Sequence, residues 1–183
     1  SLNIRNNKEF GESIHEIEFS MIGMHNVQNA LATIATGIEL KIPLAKIKNT
    51  LKNFTGVHRR FQKVGNFKNI TIIDDYGHHP TEIEATIDAL KNTYSDKKIF
   101  MVFQPHRYSR SMALFDEFIK ILSKVDALIM LDIYSAGEQN HKNISSYDFL
   151  NRLLAINSRC FFAKNIQDVK RLSLIHISEP TRL

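Results

Sequence analysis

Apolar residues recur at helical spacing near the start of the chain. Val27, Leu31, Ile34 and Ile38 fall three or four residues apart, with Ala30, Ala32 and Ala35 keeping the surface slim. They predict a helix opening at Met24 or His25, with Asn26 as N-cap. Pro43 reads as the first residue of a second helix carrying Leu44, Ile47 and Leu51, ending near Phe54. Residues 1–20 read as short strand-like pieces. From residue 55 to about 171 the pattern alternates. Apolar runs at 70–74 (ITIID), 98–103 (KIFMVF), 127–131 (ALIML) and 160–163 (CFFA) have the length of buried strands. Between them lie amphipathic stretches. Residues 81–92 carry Ile83, Ile87 and Leu90, with Thr81 and Glu84 spaced as a capping box. Leu114, Phe115, Phe118, Ile121 and Leu122 mark another helix; Ser145 and Asp148 would cap one bearing Leu150, Leu153 and Leu154, and residues 165–171 begin the next.

Strands alternating with helices of this length predict an α/β fold: a Rossmann-like parallel sheet with flanking helices, preceded by a helical pair. Such sheets place ligands outside the carboxyl ends of their strands. The segments that follow the first three strands are DDYGHHPTE (74–82), QPHRYSR (104–110) and DIYSAGEQNH (132–141), all rich in ionisable and turn-forming residues. The opposite connection, TYSDKK, is a plain solvated turn. The asymmetry puts a polar site on one edge of the sheet.

Composition narrows this only slightly. The 183 residues are 43% hydrophobic and 23% charged, with no apolar run long enough to span a bilayer and no signal-peptide pattern. One cysteine, Cys160, precludes an internal disulfide, suits a reducing cytoplasm and reads as a buried thiol. The net charge of +5 is scattered, without basic runs interleaved with aromatics, so small anions such as phosphates and carboxylates fit it at least as well as nucleic acid.

The loops carry several chemistries. His106, Arg107 and Arg110 stand together, and two arginines three apart at a helix start suit a bidentate grip on a carboxylate or phosphate. Arginine there opposes the helix dipole, which an anionic ligand would explain better than a solvated surface pair. His78 and His79 admit metal binding, acid–base work or packing; adjacent histidines rarely share one ion, and one functional with one structural histidine is the preferred reading. Asp74 and Asp75 would hold a metal-bound water, orient a cation or brace the loop. His58, Arg59 and Arg60 in VHRRFQ read, alone, as a solvated basic turn. Asn26 and Asn29 are one turn apart, as paired amides reading a base edge would be, although capping also accounts for Asn26. No G-x-x-x-x-G-K-[ST], G-x-G-x-x-G or G-x-S-x-G occurs among the seven glycines, so the phosphates of any nucleotide would be cradled mainly by something outside this chain.

In this order, GMHNVQNALATIA, FTGVHRRFQ, IIDDYGHHPTEIEAT, FQPHRYSR, LFDEF and LDIYSAGE resemble the Mur ligase family. The first two are shared loosely across it; DDYGHHPTE and FQPHRYSR resemble the branch that joins L-alanine to UDP-N-acetylmuramate. The resemblance implies ATP-dependent phosphorylation of a carboxylate, attack by the alanine amine on the acyl phosphate, and a requirement for Mg²⁺. By motif, Asn26 and Asn29 would contact adenine, Arg60 the ATP phosphates, and Asp74 and Asp75 the nucleotide. Tyr76, His78, His106, Arg107 and Arg110 would form the amino-acid pocket, with His78 and the two arginines closest to the chemistry. No metal ligand is expected in this chain. Residues 1–54 would be the C-terminal part of a central ATP-binding domain and 55–171 a truncated C-terminal domain. The UDP-sugar domain and the P-loop would lie elsewhere in the protein, and the chain alone would be inactive. Residues 172–183 (LSLIHISEPTRL) resemble a translated transposon sequencing adapter and are set aside as a non-native tail. The competing reading is a stand-alone nucleotide- or anion-binding module without catalysis.

Overall fold

A computed structural model describes residues 17–19, 21–141, 143–156 and 159–178. The strand-like pieces expected over residues 1–20 fall outside these, apart from 17–19. The chain divides into two units, Ser1–Tyr76 and Gly77–Leu183.

In the first unit, α1 (Met24–Glu39) and α2 (Leu44–Asn53) form where the 3.6-residue period predicts them. Ala30 and Ile34 of α1 bury against Ile47 and Leu51 of α2, with Ile17 completing the cluster. Gly37 sits at the crossing: a methyl group there would lie 2.8 Å from Ile47 Cδ1 and 3.2 Å from its Cγ1, so glycine lets the Ile47 side chain seat against α1 without shifting. Asn26 is not the N-cap. Gly23 takes that place without a side-chain hydrogen bond, while Asn26 lies inside the first turn and its Nδ2 donates back to the Ile22 carbonyl at 2.8 Å.

The same unit departs from expectation after residue 60. Gln62–Phe67 forms β1, which pairs antiparallel with β2 (Ile70–Asp74). Phe67 faces Ile70, leaving a two-residue turn in which Lys68 adopts φ 52°. Val64 is the extra residue of a bulge between Lys63 and Gly65. The expectation that ITIID belongs to the parallel sheet is therefore wrong; β2 sits in a two-stranded hairpin sheet of its own. An apolar run fits a buried parallel strand or one half of a hairpin equally well, and Ile72 is in fact exposed.

In the second unit, α3 (Pro80–Thr93) is followed by β3 (Phe100–Phe103), α4 (Tyr108–Ala113), α5 (Phe115–Leu122), β4 (Ala127–Leu131), α6 (Ser146–Leu154), β5 (Cys160–Ala163) and α7 (Ile166–Ser178). The strands form a parallel sheet in the order β3-β4-β5. Alternation along β4 assigns the faces. Leu128 and Met130 join Ile87 of α3, Phe118 and Leu122 of α5, and Phe149 and Leu153 of α6 in the main core, where Phe103, Phe118 and Phe149 meet edge to face or tilted. Ile129 and Ala163 face the other way and meet Val169 and Leu172 of α7. The sheet is thus covered on both sides, as an α/β layer requires. Cys160 lies in the core, and burial raises its thiol pKa. Ser145 and Asp148 cap α6 as expected, through the Ser145 amide and Asp148 Oδ2 at 2.8 Å. The Thr81–Glu84 capping box does not form; the cap lies two residues earlier, because Pro80 already occupies the first helical position. α7 also continues past residue 171 into the segment set aside as a tail, to Ser178.

Candidate functional site

β3 ends at Phe103, and the next residues stay extended against the chain that leaves β4. The Tyr134 amide donates to the Pro105 carbonyl and the Arg107 amide to the Tyr134 carbonyl, each at 2.8 Å, so His106 and Tyr134 form a parallel bridge beyond the sheet. Arg107 then turns the chain into α4 with φ 72° and ψ 134°. That conformation costs a non-glycine residue on the order of 1–3 kcal/mol and persists only where the surroundings hold it. Here its amide is bound by Tyr134 and its carbonyl accepts from the Ser111 amide at 3.1 Å.

This backbone gathers the charged side chains. Arg110 Nη1 donates to the His106 carbonyl at 3.3 Å, and Arg107 Nη1 lies 3.7 Å from Glu138 Oε1. The His106 ring stands between those of Tyr134 and His78, with centroids 5.3 and 6.2 Å away. His106 Nδ1 is buried with no partner among the described residues. Burial first, then the fields of Arg110, Arg107 and His78, hold its pKa below the ordinary value, with Glu138 opposing, so the neutral imidazole is favoured. His78 is tied to the start of α3: its amide donates to Glu82 Oε2 at 3.0 Å and its Nδ1 lies 3.4 Å from the same oxygen. His79 caps α3. Its Nδ1 accepts from the Thr81 amide at 3.3 Å, and Glu82 Oε2 takes its amide at 3.2 Å, closing the cap of α3.

The first unit holds a separate constellation. Arg59 (φ 58°) and Phe61 (φ 49°) bend the chain sharply before β1. The turn is braced by the end of β2: Asp75 Oδ2 accepts from the Phe61 amide at 2.8 Å, and the Tyr76 amide donates to the Arg59 carbonyl at 2.6 Å. Arg59 Nε lies 3.5 Å from Asp74 Oδ2. The guanidinium carbons of Arg59 and Arg60 stand 5.0 and 5.9 Å from the centre of the Tyr76 ring. Asn29 is exposed on α1, where its carbonyl accepts from Thr33 Oγ1.

Among the sequence-predicted residues, the structure therefore gathers His78, His106, Arg107 and Arg110 in the second unit. Arg60, Asp74, Asp75 and Tyr76 gather in the first. Sequence reasoning overlooked Glu138, Ser109, Tyr134 and Glu82. Glu138 was visible only as the last letter of SAGE, whose Ala136 (φ 51°) and Gly137 (φ 85°) close a turn from the Ser135 carbonyl to the Glu138 amide at 3.0 Å. A methyl group on Gly137 would meet nothing, so its positive φ is what calls for glycine. Glu138 also helps wall a pocket of about 390 Å³ beside α4. Among the described residues no group of three or more His, Cys, Asp or Glu could hold a metal ion, and no helix is long and apolar enough to cross a membrane.

Residues 59–177 match the family described as "Mur ligase, glutamate ligase domain". The chain is 45% identical over 163 residues to UDP-N-acetylmuramate--L-alanine ligase of Desulfotalea psychrophila, covering 89% of this chain and 35% of that protein. It is 50% identical over 143 residues to the protein of the same name from Geotalea uraniireducens, covering 78% and 31%. Among solved structures, UDP-N-acetylmuramate-alanine ligase of Thermotoga maritima superposes with a TM-score of 0.70 at 30% identity, over 88% of this chain and 34% of that one. The chain spans about a third of the length of the curated relatives it matches.

Proposed function

The chain belongs to the Mur ligase family, and from that premise we propose that it is the part of an L-alanine-adding ligase that grips the amino acid. The full-length protein would use ATP to convert the carboxylate of UDP-N-acetylmuramate into an acyl phosphate, and the alanine amine would displace the phosphate, a cytoplasmic step of peptidoglycan precursor synthesis. Residues 1–54 would close a central ATP-binding domain, and 55–171 would belong to the C-terminal domain.

One observation carries this reading: two arginines and a histidine biased to neutrality stand at the carboxyl edge of a parallel sheet, with Glu138 paired to Arg107. Such an edge suits a small carboxylate. Arg107 and Arg110 would hold the alanine carboxylate, and His78 and His106 would flank it. Fixing the carboxylate aims the amine, which is where positioning lowers the barrier. A neutral His106 adds no positive charge of its own, so the charge that attracts the anion comes from the arginines. On the nucleotide side, Asn26 and Asn29 would meet the adenine, and Arg60, with Asp74 and Asp75 beside it, the phosphates. Mg²⁺ finds no donor set among the described residues. In the full-length protein, Arg107→Ala should raise the KM for L-alanine by roughly a hundredfold, as loss of a charged hydrogen-bonding partner does, and leave that for ATP nearly unchanged. Equal effects on both would remove Arg107 from the amino-acid clamp.

A further inference from the structure

Glu138 lies outside every role assigned above, yet it touches the clamp. Its Oε1 accepts from Ser109 Oγ at 2.7 Å and its Oε2 from the Ser109 amide at 2.9 Å, so both oxygens are oriented before Arg107 is considered. The Ser109 bonds, first through the amide and then the hydroxyl, hold its pKa below the ordinary carboxylate value, with Arg107 adding to the effect. The carboxylate arrives from 29 residues downstream, on a turn with two positive φ angles. A helix of six residues needs no such device for capping, since a local Ser, Thr or Asp serves. The Glu138 side chain is 24% exposed, whereas that of Arg107 is 50% exposed. A guanidinium that open has many rotamers and loses entropy on binding an anion unless something fixes it first.

We propose that Glu138 is a positioning residue: it holds Arg107 by the Nη1 side, so that the other edge of the guanidinium faces the carboxylate of the amino acid. At 3.7 Å the contact is an ion pair rather than a hydrogen bond. It therefore orients the fork without occupying its remaining donors. The proposal rests on the amino-acid clamp assigned above.

The test is a double-mutant cycle in the full-length protein. Glu138→Gln keeps the shape and the acceptor for the Ser109 amide but removes the charge. It should raise the KM for L-alanine about fivefold, with kcat and the KM for ATP within about twofold. In an Arg107→Ala background the same change should add less than about twofold, because its effect passes through Arg107. No rise in the alanine KM, or the same rise in both backgrounds, overturns the proposal. If Arg107→Ala raises the alanine KM and Glu138→Gln does not, the clamp stands and only the positioning role falls. If Arg107→Ala itself has no effect on alanine, both fall. Should Glu138→Gln melt too low to assay, Glu138→Asp, which keeps the charge but is one methylene short of Arg107, takes its place in the same cycle with the same criteria.

Discussion

Two arginine pairs stand in this chain, Arg59–Arg60 before β1 and Arg107–Arg110 at α4, and they are held by different means. The first pair is braced locally: Asp74 and Asp75 come from the hairpin strand next to it, and Tyr76 supplies a ring under both guanidiniums. β1 and β2 beneath it have no fully buried residue. The second pair is braced from far along the chain, by Tyr134 and Glu138 beyond β4, and its strands feed a core of aromatic and branched side chains. A locally braced loop stands or falls with one or two hydrogen bonds. A loop stitched between two sheet strands stands or falls with the whole unit.

The largest test of that contrast is a cavity under the second loop. Phe149 is fully buried and packs against Phe115 and Phe118. Phe149→Ala should destabilise the second unit by about 3–5 kcal/mol, read as a lower urea midpoint at unchanged slope. Hydrogen exchange in the same variant should show protection lost along β3 and β4 and retained along β1 and β2. Protection lost equally in both units would mean that the hairpin does not stand by its own local bonds, and the contrast would fail.

The next test is smaller and aimed at the first loop. Asp75→Ala leaves the Phe61 amide without its carboxylate and should cost roughly 1–3 kcal/mol in the first unit. It should also release the positive-φ turn at Arg59 and Phe61, with faster amide exchange over residues 59–62 and none over 104–110. Unchanged exchange at 59–62 would show that the turn is held by its own backbone.

What the sequence made legible follows the same division. The parallel strands were readable because β4 is a run of five apolar residues and only a sheet covered on both faces needs one. The loops after β3 and β4 were readable as a candidate site because ionisable and turn-forming residues cluster at the carboxyl ends of parallel strands, where such sheets hold ligands. The α6 cap was readable because Ser145 and Asp148 are common capping types. The hairpin was not: QKVGNF alternates weakly, its bulge breaks the period, and ITIID alone mimics a buried strand. The cap of α3 was missed because an imidazole at the N-cap, His79, is an uncommon choice. Glu138 was missed because its importance depends on a contact 29 residues away that no local pattern encodes.

The smallest effect concerns pH, and it separates the two loops by the ring each places against its arginines: a phenol in the first, an imidazole in the second. His106 has a folded pKa below its ordinary 6.5, chiefly through burial and then through Arg110, Arg107 and His78. As the pH falls through 6.5 the unfolded chain takes up this proton before the folded one does. Stability therefore declines below pH 6.5 and levels off once the pH is under the folded value. Glu138, held below 4.5 by its Ser109 bonds, contributes a separate loss that begins only as the pH drops under about 4.5. Urea midpoints measured at half-unit steps between pH 7.5 and 5 should show the first decline, and His106→Gln should flatten it. A slope that survives that substitution would place the titration elsewhere. A bound anion neutralises the arginine field but not the burial, so saturating L-alanine in the full-length protein should weaken the slope without abolishing it.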